Sequence, residues 1–241
     1  MHPILFKLGP ITIYSYGFAM AVAAVVCAHL LAKDAARHQI SKDTVYNFLF
    51  TCVLWGILGA RAFYIALYWP YFAEHLWEIP LLQNGGLAWQ GGFLGGALAG
   101  IWFVRRQKMS LRLWLDLTAP YIALGQAIGR VGCFFNGCCY GKPVAWGIYF
   151  PVHEARLHPT QLYETAGLLL IFFLLKAAVA KPHRAGEVFV FYLWLAAIER
   201  FTVEFFRADH DVLYIGLSLF QWVAIGIFIA GLILHMRFKV K

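Results

Sequence analysis

The stretch ITIYSYGFAMAVAAVVCAHLLA, residues 11–32, contains no Lys, Arg, Asp or Glu. A helix rises about 1.5 Å per residue, so a run of this length spans the ~30 Å hydrocarbon core of a bilayer. The segment ahead of it, MHPILFKLGP, carries one Lys, and no small-residue cleavage pattern follows, so the stretch is expected to persist as a permanent span.

The rest of the chain agrees. Of its 241 residues 61% are hydrophobic and 13% charged, with a mean hydropathy of +0.67, whereas the apolar share of a soluble domain is nearer about half. We therefore expect an all-α polytopic membrane protein forming a single integral membrane domain over residues 1–241, with no internal repeat. Seven transmembrane helices are expected, at residues 11–32, 45–68, 87–104, 113–128, 161–180, 188–206 and 217–236. The third and fourth are short and glycine-rich at one end.

Orientation follows from the basic residues. Lys33, Arg37, Lys42, Arg105, Arg106, Lys108, Arg112, Lys181, Arg184, Arg237, Lys239 and Lys241 fall on one side, against Lys7, Arg130, Lys142, Arg156 and Arg207 on the other. The richer side is cytoplasmic by the positive-inside bias, so the N-terminus is expected outside and the C-terminus inside. The net charge of +8 then reflects this bias and attraction to anionic lipid heads, and no nucleic-acid partner is expected. The 17% aromatic content fits interfacial belts.

Ionisable groups inside spans are costly and need a reason. Arg61 stands in the second span, and ERFTVEFFR, residues 199–207, closes the sixth. There Arg200, Glu204 and Arg207 stand at i, i+4 and i+7, one carboxylate between two guanidiniums. This pattern suits either a structural salt-bridge ladder or an electropositive pocket whose guanidinium forks hold phosphate oxygens. Arg61 and Glu199 fit either as members of that network or as its braces.

Three further segments stand out. NGGLAWQGGFLGG, residues 84–96, enters the third span with glycine pairs suited to close helix packing or close approach of a lipid, and with Trp89 and Gln90 between them. RLHPTQLYE, residues 156–164, precedes the fifth span; Thr160 reads as an N-cap, Glu164 suits the helix dipole, and His158 is a candidate proton carrier. GRVGCFFNGCCYG, residues 129–141, reads as a glycine-rich loop on the outer, periplasmic face. The amides around Gly129, Gly132 and Gly137 would converge on an anion, with Asn136 and Arg130 adding a polar group and a fixed charge.

The same segment holds Cys133, Cys138 and Cys139. With an outside His they suggest four zinc ligands, but C-x4-C-C is not a familiar zinc spacing, and no metal or other cofactor is expected. A redox pair at Cys138 and Cys139, a structural disulfide and inert packing are the other readings. Cys27 and Cys52, inside spans one and two, read as packing.

LGPITIYSYG, NGGLAWQGGFLGG, GRVGCFFNGCCYG, HPTQLYE and ERFTVEFFR occur in this order along nearly the whole chain. Together they resemble the bacterial prolipoprotein diacylglyceryl transferases. The resemblance implies an enzyme of the bacterial cytoplasmic (inner) membrane that moves a diacylglyceryl group from phosphatidylglycerol to the lipobox cysteine of a prolipoprotein signal peptide. A thioether forms and glycerol phosphate leaves. By motif match it makes Arg130, Asn136, Arg200 and Arg207 ligands of the headgroup and phosphate, with Tyr16, Glu164 and Glu204 in support. Gln90 stands where the family often has a histidine, and the cysteines depart from the family's usual middle residues and acidic position. Since glutamine takes no proton, either Gln90 positions substrate by hydrogen bonding or the chemistry has moved; His158 is the candidate acceptor of the thiol proton, with the phosphate itself as the alternative. Three rival readings stay open: a thiol-redox membrane enzyme using Cys138 and Cys139, a transporter, and a non-catalytic paralogue that binds anionic lipid.

Overall fold

The computed structural model describes residues 1–8, 11–81, 85–209 and 211–239. Gly9 and Pro10 of the N-terminal motif, Asn84 at the head of the glycine-rich tract, and Lys241 of the C-terminal basic group lie outside the described residues.

The chain is mostly helical. Its helices are α1 (Ser15–Ala35), α2 (Lys42–Leu67), the short α3 (Trp69–Glu74), α4 (Trp89–Arg106), α5 (Leu111–Asn136), α6 (Thr160–Val179), α7 (Glu187–Glu204) and α8 (Leu219–Lys239). Four of them, α1, α2, α6 and α8, are long and apolar enough to cross a membrane. The other long helices, α4, α5 and α7, carry glycines or charges that lower their hydropathy, among them Arg105, Arg106, Asp116, Arg130, Glu199 and Arg200.

The structure adds strands that the all-α expectation omits. Three antiparallel hairpins pair β1 (Ile4–Leu8) with β2 (Ile11–Tyr14), β3 (Pro143–Phe150) with β4 (Ala155–Leu157), and β5 (Val212–Tyr214) with β6 (Leu217–Ser218). The last turns on Ile215 and Gly216, both at positive φ (51° and 75°), the backbone that a two-residue hairpin loop requires.

The chain divides into two compact units, residues 1–31 with 115–241, and residues 32–114. In the first, a core of Ala119, Ala123 and Ala127 from α5, Leu168, Ile171 and Leu175 from α6, and Val188 and Tyr192 from α7 knits three helices together. The alanines recur every four residues, so one face of α5 admits its neighbours closely. Asp116 fixes the start of α7, its carboxylate accepting from the amides of Gly186 at 2.6 Å and Phe189 at 2.8 Å, donors that have no partner within the helix.

The residues read as an outer loop begin as helix. α5 continues through Asn136, so the amides near Gly129 and Gly132 belong to a helix and make no anion cradle. The glycines serve packing instead. A Cβ at Gly125 would stand 3.6 Å from Cys27 Sγ, one at Gly129 3.4 Å from Met20 Sδ, and one at Gly132 2.8 Å from Ala19 Cβ. These partners all lie on α1.

In the second unit α2 packs on α4 through a glycine seam. A Cβ at Gly59 would fall 2.5 Å from the Gly91 carbonyl oxygen and 3.1 Å from Gly95 Cα, so the two backbones touch where side chains would normally separate them.

Candidate functional site

Three arginines of the first unit, from α5, α7 and the segment just past α7, converge on one carboxylate of α6. Glu164, in the second turn of α6 and 1% exposed, pairs through Oε2 with Nε of Arg130, which comes from the last two turns of α5. Its Oε1 accepts from Nη1 of Arg200 on α7 at 2.7 Å and from Nη1 of Arg207, just past α7, at 3.3 Å. A second carboxylate, Glu204, lies 2.8 Å from Nη2 of Arg200 and 3.8 Å from Nε of Arg207. Its other oxygen accepts from Ser218 Oγ on β6 at 2.5 Å. Asp209 completes the set by gripping Arg207 bidentately, at 2.9 Å from Nε and 2.6 Å from Nη2.

Three guanidiniums thus pair directly with three carboxylates, and a fourth acidic group, Glu199, lies within Coulombic reach of all three. The balance matters because a buried, unpaired charge is strongly destabilising, whereas ion pairing offsets part of the cost of burial. Burial works against the charge on Arg207, yet Asp209 and Glu164 raise its pKa above the ordinary guanidinium value. The arginines differ in access: side-chain exposure is 27% for Arg130 and 20% for Arg200, but 3% for Arg207. Arg130 meets Glu164 through Nε, and among the described residues neither of its terminal nitrogens has a protein acceptor. That edge is one face of a guanidinium fork, the geometry that takes two oxygens of a phosphate.

A backbone strap holds the elements in place. Gly141 donates to the His158 carbonyl at 2.9 Å, Lys142 to that of Phe206 at 2.8 Å, and Ala208 to that of Tyr140 at 3.3 Å, while Gly141 bridges to Arg207. The segment after α5 is thereby sewn to the start of α6 and to the exit of α7. A Cβ at Gly141 would stand 2.5 Å from His158 Cβ and 2.6 Å from the Phe206 carbonyl oxygen, so only glycine fits.

The remaining expected residues are distributed as follows. Tyr16, half-exposed at the start of α1, backs onto Gly132, and Gly137, at φ +77°, ends α5 directly after Asn136. Glu199 lies on α7 against Gly167. His158 sits in an aromatic box with Trp146, Tyr163 and Phe206, its Nδ1 3.1 Å from the Tyr163 hydroxyl. Thr160 is the first residue of α6 and makes no cap; its hydroxyl donates to the Cys139 carbonyl at 2.7 Å. Gln90 is exposed in the first turn of α4, in the other unit.

Arg61 also belongs to that other unit, where backbone carbonyls satisfy it: Nε donates to Ile79 at 2.9 Å, Nη2 to Glu78 at 2.6 Å, and Nη1 to Gly85 and Gly86 at 2.8 and 3.1 Å. It lines a cavity of about 610 Å³ with Tyr64, Tyr68, Tyr71 and Phe72. Four of its five N–H donors are engaged, which ties it to the backbone at residues 78–79 and 85–86.

Sequence reasoning passed over Asp209, Ser218, Gln161 and Gly141. Gln161, fully buried, donates from Nε2 to the Cys138 carbonyl at 2.6 Å. It and Gly141 lay inside quoted motifs, and their buried polarity or tight backbone was the available signal. For Asp209 and Ser218 nothing short of the fold shows that they reach Arg207 and Glu204.

The cysteines are all unpaired thiols. Hydrogen bonds from Cys133 and Cys138, opposed by burial and assisted by the charges of Arg207 and Arg130, hold the Cys139 thiol well below its ordinary pKa. Cys27 donates to the Tyr121 carbonyl at 3.3 Å inside the helix packing.

Comparison with known proteins gives a consistent result. The family profile described as prolipoprotein diacylglyceryl transferase matches residues 3–237. Phosphatidylglycerol–prolipoprotein diacylglyceryl transferases of Streptococcus pyogenes serotype M5 (strain Manfredo) and serotype M1 are each 33% identical over 247 residues, covering 98% of this chain and 95% of theirs.

Proposed function

The chain belongs to the prolipoprotein diacylglyceryl transferase family, and from that membership we infer that it transfers the diacylglyceryl group of phosphatidylglycerol to the lipobox cysteine of prolipoproteins. The redox, transporter and binding-only readings are not favoured by these matches.

In the reaction the substrate thiolate attacks the glyceryl carbon, the carbon–oxygen bond to phosphate breaks, and glycerol phosphate leaves with the bonding pair. The nucleophile belongs to the visiting protein. The enzyme has to align two partners, neutralise the departing phosphate and accept or share the thiol proton. We assign the second task to Arg130 and Arg200, which retain exposed edges, and treat Arg207, Glu164 and Glu204 as the groups that position them. The unengaged terminal nitrogens of Arg130 carry this assignment. Tyr16, Asn136 and Gly137, near the same helix end, are proposed to line the headgroup site, and Gly129 and Gly132 to bring α1 and Tyr16 alongside it. His158 is proposed as the proton acceptor, with the phosphate as the alternative. Gln90 is proposed to position substrate by hydrogen bonding.

All seven long helices are proposed to span the membrane, with the N-terminus and the arginine cluster at the outer face and the C-terminus cytoplasmic. The distribution of Lys and Arg supports this orientation. At that face the cluster meets the lipid head group and the incoming signal peptide together.

Incubation with phosphatidylglycerol and a lipobox peptide, read by the mass of the diacylglyceryl adduct, tests the reading. Arg130→Ala and Arg200→Ala are expected to lower the rate by about 10²-fold or more, the usual cost of removing one donor to developing charge. Full activity in either variant, with the protein folded in the membrane, would remove the headgroup role.

A further inference from the structure

Three sulfur atoms meet beside the arginine cluster, and the function proposed above gives none of them a part. The Sγ atoms of Cys133, Cys138 and Cys139 all lie within 4.8 Å of one another. The backbone brings them there. Gly137, at φ +77°, reverses the chain at the end of α5; its amide returns to the Phe134 carbonyl at 3.2 Å and that of Cys138 to the Cys133 carbonyl at 3.3 Å. This double bond pattern is a Schellman C-cap, and it folds Cys138 back over the helix turn that carries Cys133. Cys139 then adopts φ +63°, a left-handed conformation uncommon outside glycine, and continues the reversal. From the far side, Gln161 and Thr160 of α6 bind the carbonyls of Cys138 and Cys139 at 2.6 and 2.7 Å. The thiols are therefore preorganised by main-chain and α6 contacts that do not depend on sulfur bonding.

We propose that Cys133, Cys138 and Cys139 form a three-thiolate site for a thiophilic divalent cation of the zinc class. Zinc lies about 2.3 Å from each thiolate, and tetrahedral angles then set the sulfurs about 3.8 Å apart. Three sulfurs already within 4.8 Å of one another exceed that spacing by no more than about 1 Å. A disulfide between Cys138 and Cys139 fits less well, because adjacent α-carbons stand about 3.8 Å apart across a trans peptide, below the ~4.4 Å lower limit of ordinary disulfides. Charge favours the cation as well. Three thiolates and one divalent ion leave a single negative charge, and the guanidiniums of Arg207 and Arg130 act on that point. Among the described residues no other Cys, His, Asp or Glu joins the group, so the fourth position is left to water or an exogenous ligand. An open position is the mark of an exchangeable or chemically active zinc, in contrast to a closed structural one.

The test uses the full chain in detergent, reduced and stripped of metal, with Co²⁺ as the spectroscopic probe and Zn²⁺ as competitor. The expected result is one equivalent of Co²⁺ per chain with intense sulfur-to-cobalt charge-transfer absorption, bleached by Zn²⁺. Cys133→Ser, Cys138→Ser and Cys139→Ser should each lose that absorption, with helicity by circular dichroism unchanged. If Cys133→Ser unfolds the buried helix end, the two substitutions beyond the helix still decide the matter. Absence of the absorption in protein whose thiols are shown free by alkylation overturns the proposal. So does its persistence in the triple Ser variant, or a disulfide among the three that survives the reducing step. The assay contains neither phosphatidylglycerol nor lipobox peptide, so its failure is separate from any failure of the transferase reading.

Discussion

Glu164 and Arg200, 36 residues apart, meet at 2.7 Å between Oε1 and Nη1. Through this contact α6 fixes the angle at which α7 presents its guanidinium. Arg130 and Arg207 close on the same carboxylate, so one side chain sets the positions of three cations. Glu164→Gln keeps the shape and removes the charge. With three guanidiniums left facing Glu204 and Asp209, a loss of about 3–5 kcal/mol of stability is expected, the usual cost of breaking a buried pair from one side. Thermal unfolding in detergent measures it, and the adduct assay should show lipidation falling with it. A Glu164→Gln protein as stable as the parent would mean that the carboxylate does not organise the cluster.

Asp209 works one step further from the chemistry. Its bidentate grip turns Arg207 so that Nη1 reaches Glu164. Asp209→Asn keeps one hydrogen-bonding oxygen and loses the charge-assisted fork. One such bond contributes ~1.5 kcal/mol or more, so a rate loss of about tenfold is expected. Because Arg207 is buried and acts through its neighbours, the loss should appear in kcat with little change in KM for phosphatidylglycerol. A change confined to KM would instead place Arg207 on the lipid itself.

Much of this arrangement was legible in the sequence, and the reason is energetic. A charge inside an apolar helix is expensive, so Arg200 and Glu204 in ERFTVEFFR and Glu164 beside an apolar span stand out without a structure. The four helices long and apolar enough to cross a membrane coincide with apolar runs that stand out in the sequence. What the sequence hides is direction. The glycines of GRVGCFFNG suit a flexible loop and a close-packed helix equally well, and the choice falls to α1, whose Ala19 and Met20 need the room. For Arg61 the sequence leaves binding and bracing open, because its acceptors are backbone carbonyls 17 to 25 residues downstream, which no side-chain pattern records. The hairpin of β3 and β4 escaped notice because it sits between helices, its second strand is only three residues long, and the two pair with an irregular register.

The packing role of Gly132 gives its own test. A Cβ there stands 2.8 Å from Ala19 Cβ and 3.3 Å from Tyr16 Cα, the latter backbone that does not yield easily. Gly132→Val should therefore push α1 from α5 at a cost of about 1–3 kcal/mol or more. Lower thermal stability with near-parental helicity is the expected outcome. Restoration by a second change, Ala19→Gly, would tie the effect to this contact. Unaltered stability in Gly132→Val would mean that this contact does not govern how α1 packs on α5.

Arg61 separates bracing from binding. Its donors reach the carbonyls of Glu78, Ile79, Gly85 and Gly86, and its guanidinium lies 5.3 Å from the Phe72 ring centroid. A lysine keeps the positive charge but has three donors on one nitrogen, so it cannot span carbonyls that surround a planar fork. Each buried acceptor left unmade costs about 1–3 kcal/mol, and Arg61→Lys should lower the unfolding temperature markedly. If Arg61 only braces, the lysine variant held below its unfolding temperature should bind phosphatidylglycerol with parental KM. A raised KM at unchanged stability would reverse the assignment and make Arg61 a ligand of the lipid phosphate.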